Sequence, residues 1–198
     1  LCDEHGILMI LDEVQCGMGR TGKLFAHEWV EGAQPDILCA AKGIGGGFPF
    51  GACLTTEACA EHMQPGSHGS TYGGNPLAMA VGNVVWDIIA NEDFLAEVRR
   101  VSGTLAQGLK SLADSHPDKV EGVTGKGLLT GLKMKSDPKP LQGICRDNNL
   151  LVGVAGANGN SASPAGCCCG DHADRNTRDD QPARHPSGHG AAQDCFAG

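Results

Sequence analysis

Three short apolar runs in the first third of the chain predict buried β-strands. Residues 7–12 form an uninterrupted apolar run that ends in Asp12, and residues 36–42 form a second that ends in Lys42. Residues 51–56 form a third run. Runs of this kind, without polar alternation, are typical of strands buried on both faces of a parallel sheet. The pattern predicts an α/β fold with a mainly parallel sheet and flanking helices.

Two helices are predicted after these strands. Asn75 followed by Pro76 is a favourable helix start, because asparagine caps a first turn and proline fits within it. Apolar residues at helical spacing continue to about residue 91. A second helix, over about residues 92–115, carries an apolar stripe and ends before Pro117.

The pattern changes again towards the C-terminus. Residues 123–134 and 150–154 predict strands on either side of a short helix near residues 141–148, which indicates the start of a smaller α+β domain. Residues 157–198 contain a single large apolar side chain, so we expect a disordered tail. The abrupt change favours a shift of reading frame over a natural low-complexity tail. Adjacent cysteines without a CxxC pair do not predict a zinc site there: Cys167, Cys168, Cys169.

Composition narrows the class of protein. The chain has 198 residues, a net charge of −8 and no basic block, which argues against nucleic acid and membrane surfaces as partners. No apolar run reaches the roughly 18 residues that a membrane span needs. The chain opens at Leu1 without a secretory signal, and we interpret it as a fragment of a longer chain. Scattered cysteines within apolar stretches predict a reduced, cytoplasmic protein.

Asp12 and Lys42 are the first candidates for chemistry. Each ends a predicted strand, at the sheet edge where open α/β folds bind ligands. Taken singly, each is better explained as a loop-capping acid or a surface lysine. Together they form the pair that pyridoxal 5'-phosphate (PLP) requires: a lysine that holds the cofactor aldehyde and an acid beside the pyridine nitrogen.

A third motif fits an anionic phosphate. Residues 68–76 place Ser70 and Thr71 among small residues immediately before a predicted helix start. Hydroxyls, backbone N–H groups and helix N-termini are common phosphate ligands. Turn or capping chemistry is the alternative explanation for both hydroxyls.

Residues 11–22, 35–52 and 68–78, in this order and spacing, closely resemble class III, fold-type I PLP-dependent aminotransferases. The resemblance covers about residues 1–156. It implies that residues 1–91 are the C-terminal half of the PLP-binding large domain. Residues 92–156 would then begin the small domain, and residues 157–198 would be an aberrant tail.

The resemblance also implies site roles. Lys42 would hold the cofactor covalently and act as the catalytic base and acid, and Asp12 would pair with the pyridine nitrogen. Val14 would pack against the cofactor ring, and Gln15 would hydrogen-bond the ring hydroxyl. Glu13 is included among the cofactor-binding residues only by its place in the motif.

The third motif is implied to lie at a subunit interface. Thr71 would bind the phosphate of the cofactor in the neighbouring subunit of a homodimer, and Ser70 would lie near the substrate. No metal is implied.

The implied reaction is a two-step transamination, in which an amino donor such as N2-acetylornithine gives its amino group to 2-oxoglutarate. Ornithine, 4-aminobutyrate and succinyldiaminopimelate are alternative donors within the family. A non-catalytic, truncated product is the alternative from another class.

Two departures from the family pattern matter for activity. The N-terminal half of the large domain is absent, and residues 157–161 lack the substrate-binding arginine expected after the strand at 150–154. We therefore expect that the 198-residue chain alone has no transaminase activity.

Overall fold

The computed structural model describes residues 1–155 and the backbone of residues 161–164. Its helices and strands alternate in a mixed α/β order. In chain order they are α1 (Cys2–His5), β1 (Ile10–Asp12), β2 (Ile37–Ala40), β3 (Ala52–Thr55), α2 (Glu57–Ala60), α3 (Pro76–Ile89), α4 (Glu92–Ser115), β4 (Val120–Lys126), β5 (Leu129–Met134), α5 (Lys139–Asp147), β6 (Val152–Ala155) and β7 (Ser161–Pro164).

The chain divides into two compact units, Leu1–Arg99 and Arg100–Gly198. The division falls inside α4, and the sequence pattern predicts the boundary in or just before that helix, between residues 91 and 92. The assignment of these units to a large and a small domain stays a prediction.

The first unit contains a three-stranded sheet in the order β1-β2-β3. β1 is parallel to β2, and β3 is antiparallel to it. Leu38 and Ala40 of β2 are buried on one face of this sheet. The expectation that the first strand is buried on both faces was wrong, because Ile10 remains 60% exposed. β1 is an edge strand within the described residues, and its Ile10 side chain is exposed there.

The second unit is built on an antiparallel sheet in the order β4-β5-β7-β6. The predicted strand region 123–134 is a hairpin, in which Gly127 turns the chain with φ 63°. The core of the second unit is formed by buried residues of α4, α5 and the sheet: Leu109, Leu112, Val120, Leu132, Met134 and Cys145.

One strand falls inside the predicted tail. Ser161–Pro164 pairs with both β5 and β6, contrary to the expectation that residues from 157 onward are unstructured. Strand pairing uses backbone N–H and C=O groups, so it does not require large apolar side chains. The remainder of the predicted tail, including the cysteine triplet, lies outside the described residues. Within the described part of the chain, no helix is both long and apolar enough to cross a bilayer.

Candidate active site

Asp12 and Lys42 lie at the same edge of the first sheet. Asp12 is the last residue of β1 and stands opposite Cys39 of β2. Lys42 follows the end of β2 after one intervening residue. Because β1 and β2 are parallel, both residues lie at the carboxyl ends of their strands, where open α/β sheets bind ligands.

The backbone at Lys42 is in a conformation that lysine rarely adopts. Its φ is +50°, and it opens a 3-10 turn, Lys42–Gly45. Left-handed backbone at a residue with a side chain costs on the order of 1–3 kcal/mol and is concentrated at functional sites. Lys42 is half-buried and forms no ion pair with the described residues. Its amine is therefore not committed to a structural salt bridge in this part of the chain.

A close contact joins the loops that follow β1 and β2. Met18, with only 6% of its surface exposed, lies in the loop after β1. A Cβ added at Gly43 would lie 2.9 Å from the Cβ of Met18. Since real Cβ atoms do not approach so closely, glycine is required next to Lys42, and the contact fixes the two loops together.

Glu13 anchors the loop that begins after Asp12. Its side chain is 2% exposed, and Oε1 accepts hydrogen bonds from the His27 backbone N–H at 2.9 Å and from His27 Nδ1 at 2.8 Å. Oε2 accepts from the backbone N–H of Ala26 at 2.5 Å. The Glu13 N–H in turn donates to the carbonyl of Cys39 at 2.8 Å. Both oxygens of the Glu13 carboxylate thus accept hydrogen bonds within the loop, and these bonds hold the chain in place beside Asp12.

The Asp12 carboxylate remains able to receive a ligand. Its Oδ1 accepts a hydrogen bond from the backbone N–H of Val14 at 3.0 Å, and the residue is exposed. A carboxylate has about four acceptor positions, so a protonated ring nitrogen can still be accommodated. Gln15 is exposed and Val14 half-buried beside it. The donor set of Asp12 and Lys42 therefore fits PLP.

Cys16 lies beside the same turn. Its Sγ is 3.6 Å from the carbonyl oxygen of Asp12 and 3.9 Å from Glu13 Oε2. Burial, followed by the negative charge of Glu13, raises the pKa of the Cys16 thiol. The thiol is therefore a poor nucleophile near neutral pH.

The third motif stands at the start of α3. Asn75 caps this helix, since its Oδ1 accepts a hydrogen bond from the Ala78 N–H at 2.9 Å. α3 packs against the turn that carries Lys42, and a Cβ added at Gly46 would lie 3.0 Å from Val85 Cγ2. Ser70 and Thr71 are exposed. In the described part of the chain, neither makes a side-chain hydrogen bond to Asp12 or Lys42.

His27 and Arg99 were missed by the sequence analysis. Arg99 donates from Nη1 to the carbonyl of Gly22 at 2.7 Å, across 77 residues of sequence. His27 reaches Glu13 across 14 residues. Neither residue stands in a recognisable motif, so no local signal in the sequence marks these contacts.

Comparison with known proteins shows the family. The model of the class III aminotransferases matches residues 1–177, which extends beyond the resemblance found in residues 1–156. An acetylornithine aminotransferase of Mesorhizobium japonicum is 55% identical over 158 residues, covering 80% of this chain and 39% of the relative. A mitochondrial acetylornithine aminotransferase of Yarrowia lipolytica is 45% identical over 157 residues, covering 79% of this chain and 38% of the relative.

Comparison with solved structures also finds aminotransferases. The acetylornithine aminotransferase of Elizabethkingia anophelis matches with a TM-score of 0.72 and 34% identity, covering 82% of this chain and 42% of that one. A PLP-bound amine transaminase from an uncultivated Pseudomonas species matches equally well, with a TM-score of 0.72, 34% identity and coverage of 82% and 41%. These matches confirm the predicted fold class. The chain spans about two-fifths of the length of the curated relatives it matches. It belongs to the class III aminotransferases.

Proposed function

We propose that this chain carries the cofactor-binding core of a PLP-dependent aminotransferase in arginine biosynthesis. The enzyme would convert N2-acetylornithine and 2-oxoglutarate to N-acetylglutamate 5-semialdehyde and glutamate. The observation that carries the proposal is the position of Asp12 and Lys42 at one sheet edge. That edge lies within a segment 55% identical to a relative named acetylornithine aminotransferase.

Lys42 is the proposed catalytic residue. When bound, PLP supplies an electron sink for the pair left on the substrate carbon after its proton departs. Lys42 Nζ would take that proton and return it at the cofactor carbon, acting first as base and then as acid. The left-handed backbone and the contact between Gly43 and Met18 support this role, because they fix the position from which the amine acts.

Asp12 is the proposed partner of the cofactor's pyridine nitrogen. A carboxylate there keeps the nitrogen protonated and so favours electron withdrawal into the ring. Its hydrogen bond from Val14 fixes one oxygen and supports a constant orientation of the other. Val14 would pack against the ring, and Gln15 would bind the ring hydroxyl. Glu13 would contribute indirectly, because its hydrogen bonds to Ala26 and His27 hold the loop that follows Asp12.

Ser70 and Thr71 complete the proposed site across a subunit interface. Their exposure supports a role towards a second chain, with Thr71 binding the cofactor phosphate of the neighbouring subunit and Ser70 near the substrate. We accordingly propose a cytoplasmic homodimer with two small-molecule substrates.

The choice of amino donor rests on the relatives. Curated acetylornithine aminotransferases reach 45–55% identity, whereas the ornithine aminotransferase of Plasmodium yoelii is 30% identical, with a TM-score of 0.73. Ornithine is therefore the second candidate donor. 4-Aminobutyrate and succinyldiaminopimelate remain further alternatives, as does a product without catalysis.

A chimera tests the proposal directly. Residues 1–155 would replace the matching segment of the Mesorhizobium japonicum relative, and turnover would be measured with each of the four donors and 2-oxoglutarate. We expect N2-acetylornithine to be the preferred donor, and Lys42→Ala to lower turnover by about 10³-fold. The 198-residue chain alone should show no turnover. Full activity of the Lys42→Ala chimera, or preference for another donor, would overturn the corresponding part of the proposal.

A further inference from the structure

Two cysteines stand directly opposite each other in the first sheet. Cys39 of β2 pairs in register with Cys53 of the antiparallel strand β3. Both are free thiols, Cys39 half-buried and Cys53 exposed. Side chains of directly opposed residues lie on the same face of a sheet, so the two thiols face each other.

Directly opposed residues in antiparallel strands alternate between two Cα separations, and the hydrogen-bond pattern gives Cys39 and Cys53 the shorter one. The Thr56 N–H donates to the carbonyl of Asp36 at 3.0 Å, which makes these two residues a hydrogen-bonded pair. Hydrogen-bonded and non-hydrogen-bonded pairs alternate along an antiparallel ladder. Three positions further along, Cys39 and Cys53 therefore form a non-hydrogen-bonded pair, with a typical Cα separation of about 4.5 Å. A disulfide requires about 4.4–6.8 Å, so the pair can be bridged with little backbone movement.

The two thiols also influence each other electrostatically. Burial, followed by the interaction with Cys53 and the charge of Asp12, raises the pKa of the Cys39 thiol. Asp12 bears on Cys39 because it is the register partner of Cys39 on the other neighbouring strand, β1. Cys39 is consequently a thiol rather than a thiolate near neutral pH.

We propose that Cys39 and Cys53 form a redox-active dithiol, which a small disulfide oxidant such as oxidised glutathione converts to a cross-strand disulfide. The inference is independent of the proposed function, because it depends only on the pairing of β2 with β3. Its location links it to the site nonetheless, since the bridge would tie the strand leading to Lys42 to its neighbour.

The reaction proceeds by two thiol–disulfide exchanges. The exposed Cys53 thiolate attacks one sulfur of oxidised glutathione, forming a mixed disulfide and releasing one glutathione thiolate. The Cys39 thiolate then attacks the Cys53 sulfur and releases the second glutathione thiolate. Two electrons pass to glutathione, and the two protons lost by the cysteines are taken up by its thiolates. A disulfide at the short end of the allowed Cα range is strained, so we expect it to be readily reversed by reduced glutathione.

Peptide mapping of the whole 198-residue chain tests the proposal. The chain would be treated with oxidised glutathione, quenched in acid, alkylated and digested without reductant by trypsin and a glutamate-specific protease. Cleavage after Glu57 separates Cys53 from Cys59, the nearest alternative partner in sequence. We expect a linked pair of peptides containing Cys39 and Cys53, exceeding any Cys39–Cys59 link by at least about tenfold because of proximity.

Two variants and a denaturant distinguish a disulfide directed by the folded chain from random oxidation of its cysteines. Cys53→Ser should abolish the bridge to Cys39, whereas the matched variant Cys59→Ser should leave it unchanged. In concentrated urea the preference for Cys53 over Cys59 should disappear. Independent glutathione adducts on Cys39 and Cys53 without a bridge, or equal linkage to Cys59 in the native chain, would overturn the proposal.

The pH dependence of the rate of disulfide closure gives a further test of the proposal. Since the second exchange needs the Cys39 thiolate, closure from the mixed disulfide should accelerate about tenfold per pH unit until the raised pKa of Cys39 is passed. A closure rate that does not change between pH 7 and pH 8, an interval of about one unit, would contradict Cys39 as the resolving thiol.

Discussion

The buried carboxylate of Glu13 shows how single residues prepare the candidate site. It accepts three hydrogen bonds from Ala26 and His27, and these hold the loop beside Asp12 in place. Truncation to alanine would leave two half-buried backbone N–H groups, of Ala26 and His27, without this acceptor. We expect Glu13→Ala to lower the free energy of unfolding by about 2 kcal/mol, measured by urea denaturation.

A neighbouring glutamate provides the matched control. Glu28 accepts one hydrogen bond from the Phe25 N–H at an exposed position. Glu28→Ala should change the free energy of unfolding by no more than about 0.5 kcal/mol. Equal effects of the two substitutions would contradict the anchoring role of Glu13.

Individual site residues differ in how far the sequence reveals them. Asp12 and Lys42 were predictable at one sheet edge, because each ends an apolar run and parallel strands share their carboxyl edge. The left-handed backbone of Lys42 and the contact of Glu13 with His27 were not. They depend on how the loops fold back over 14 or more residues, which no local pattern encodes.

At the scale of elements, glycine in α3 permits close packing. A Cβ at Gly82 would lie 2.7 Å from Phe50 Cζ, and a Cβ at Gly45 would lie 3.3 Å from Cδ1 of the same ring. We expect Gly82→Ala to lower the free energy of unfolding by about 1 kcal/mol, because the ring must be displaced despite the better helix propensity of alanine.

Gly103 in α4 is the matched control, since a Cβ there would meet no atom within 4 Å. Gly103→Ala should raise the free energy of unfolding by about 0.5–1 kcal/mol through helix propensity alone. If both substitutions stabilise the protein in thermal melts, the packing of Phe50 against α3 is less tight than described.

The start of α3 is set by a cap. Asn75 accepts from the Ala78 N–H, so Asn75→Ala should cost about 1 kcal/mol in a urea titration. Asn75→Asp retains the acceptor but loses the hydrogen bond that Nδ2 donates to the Tyr72 carbonyl at 2.8 Å, so it should restore only part of the loss. An equal loss in both variants would indicate that the side chain contributes mainly through the Tyr72 carbonyl.

The elements themselves were largely predictable, and the reasons for the exceptions are physical. α4 was placed at its observed bounds because a long apolar stripe fixes a helix well. β1 is shorter than its apolar run, since strand length depends on the neighbouring strand rather than on its own sequence. β7 was missed because its side chains are small, and its pairing with β5 and β6 is a property of the backbone.

For the whole molecule, the exposed face of β1 predicts self-association. Edge strands with apolar side chains are common aggregation sites, and Ile10 is 60% exposed on such a strand. Ile10→Lys should reduce light scattering of the chain at a given concentration. Val30→Lys, at a 62% exposed position in a loop, should have a smaller effect. The same reduction in both variants would point to net charge as the cause rather than to the strand edge.

The central claim is that Lys42 is the residue that holds PLP, and covalent trapping tests it most directly. The chain would be incubated with PLP, reduced with borohydride, digested with trypsin and mapped by mass spectrometry. A label on Lys42 blocks cleavage there and yields a single peptide covering residues 24–99. We predict labelling of Lys42 well above that of the exposed Lys110 and Lys133, with loss of the long labelled peptide in Lys42→Ala. Labelling spread evenly over surface lysines, or none at Lys42, would contradict the claim.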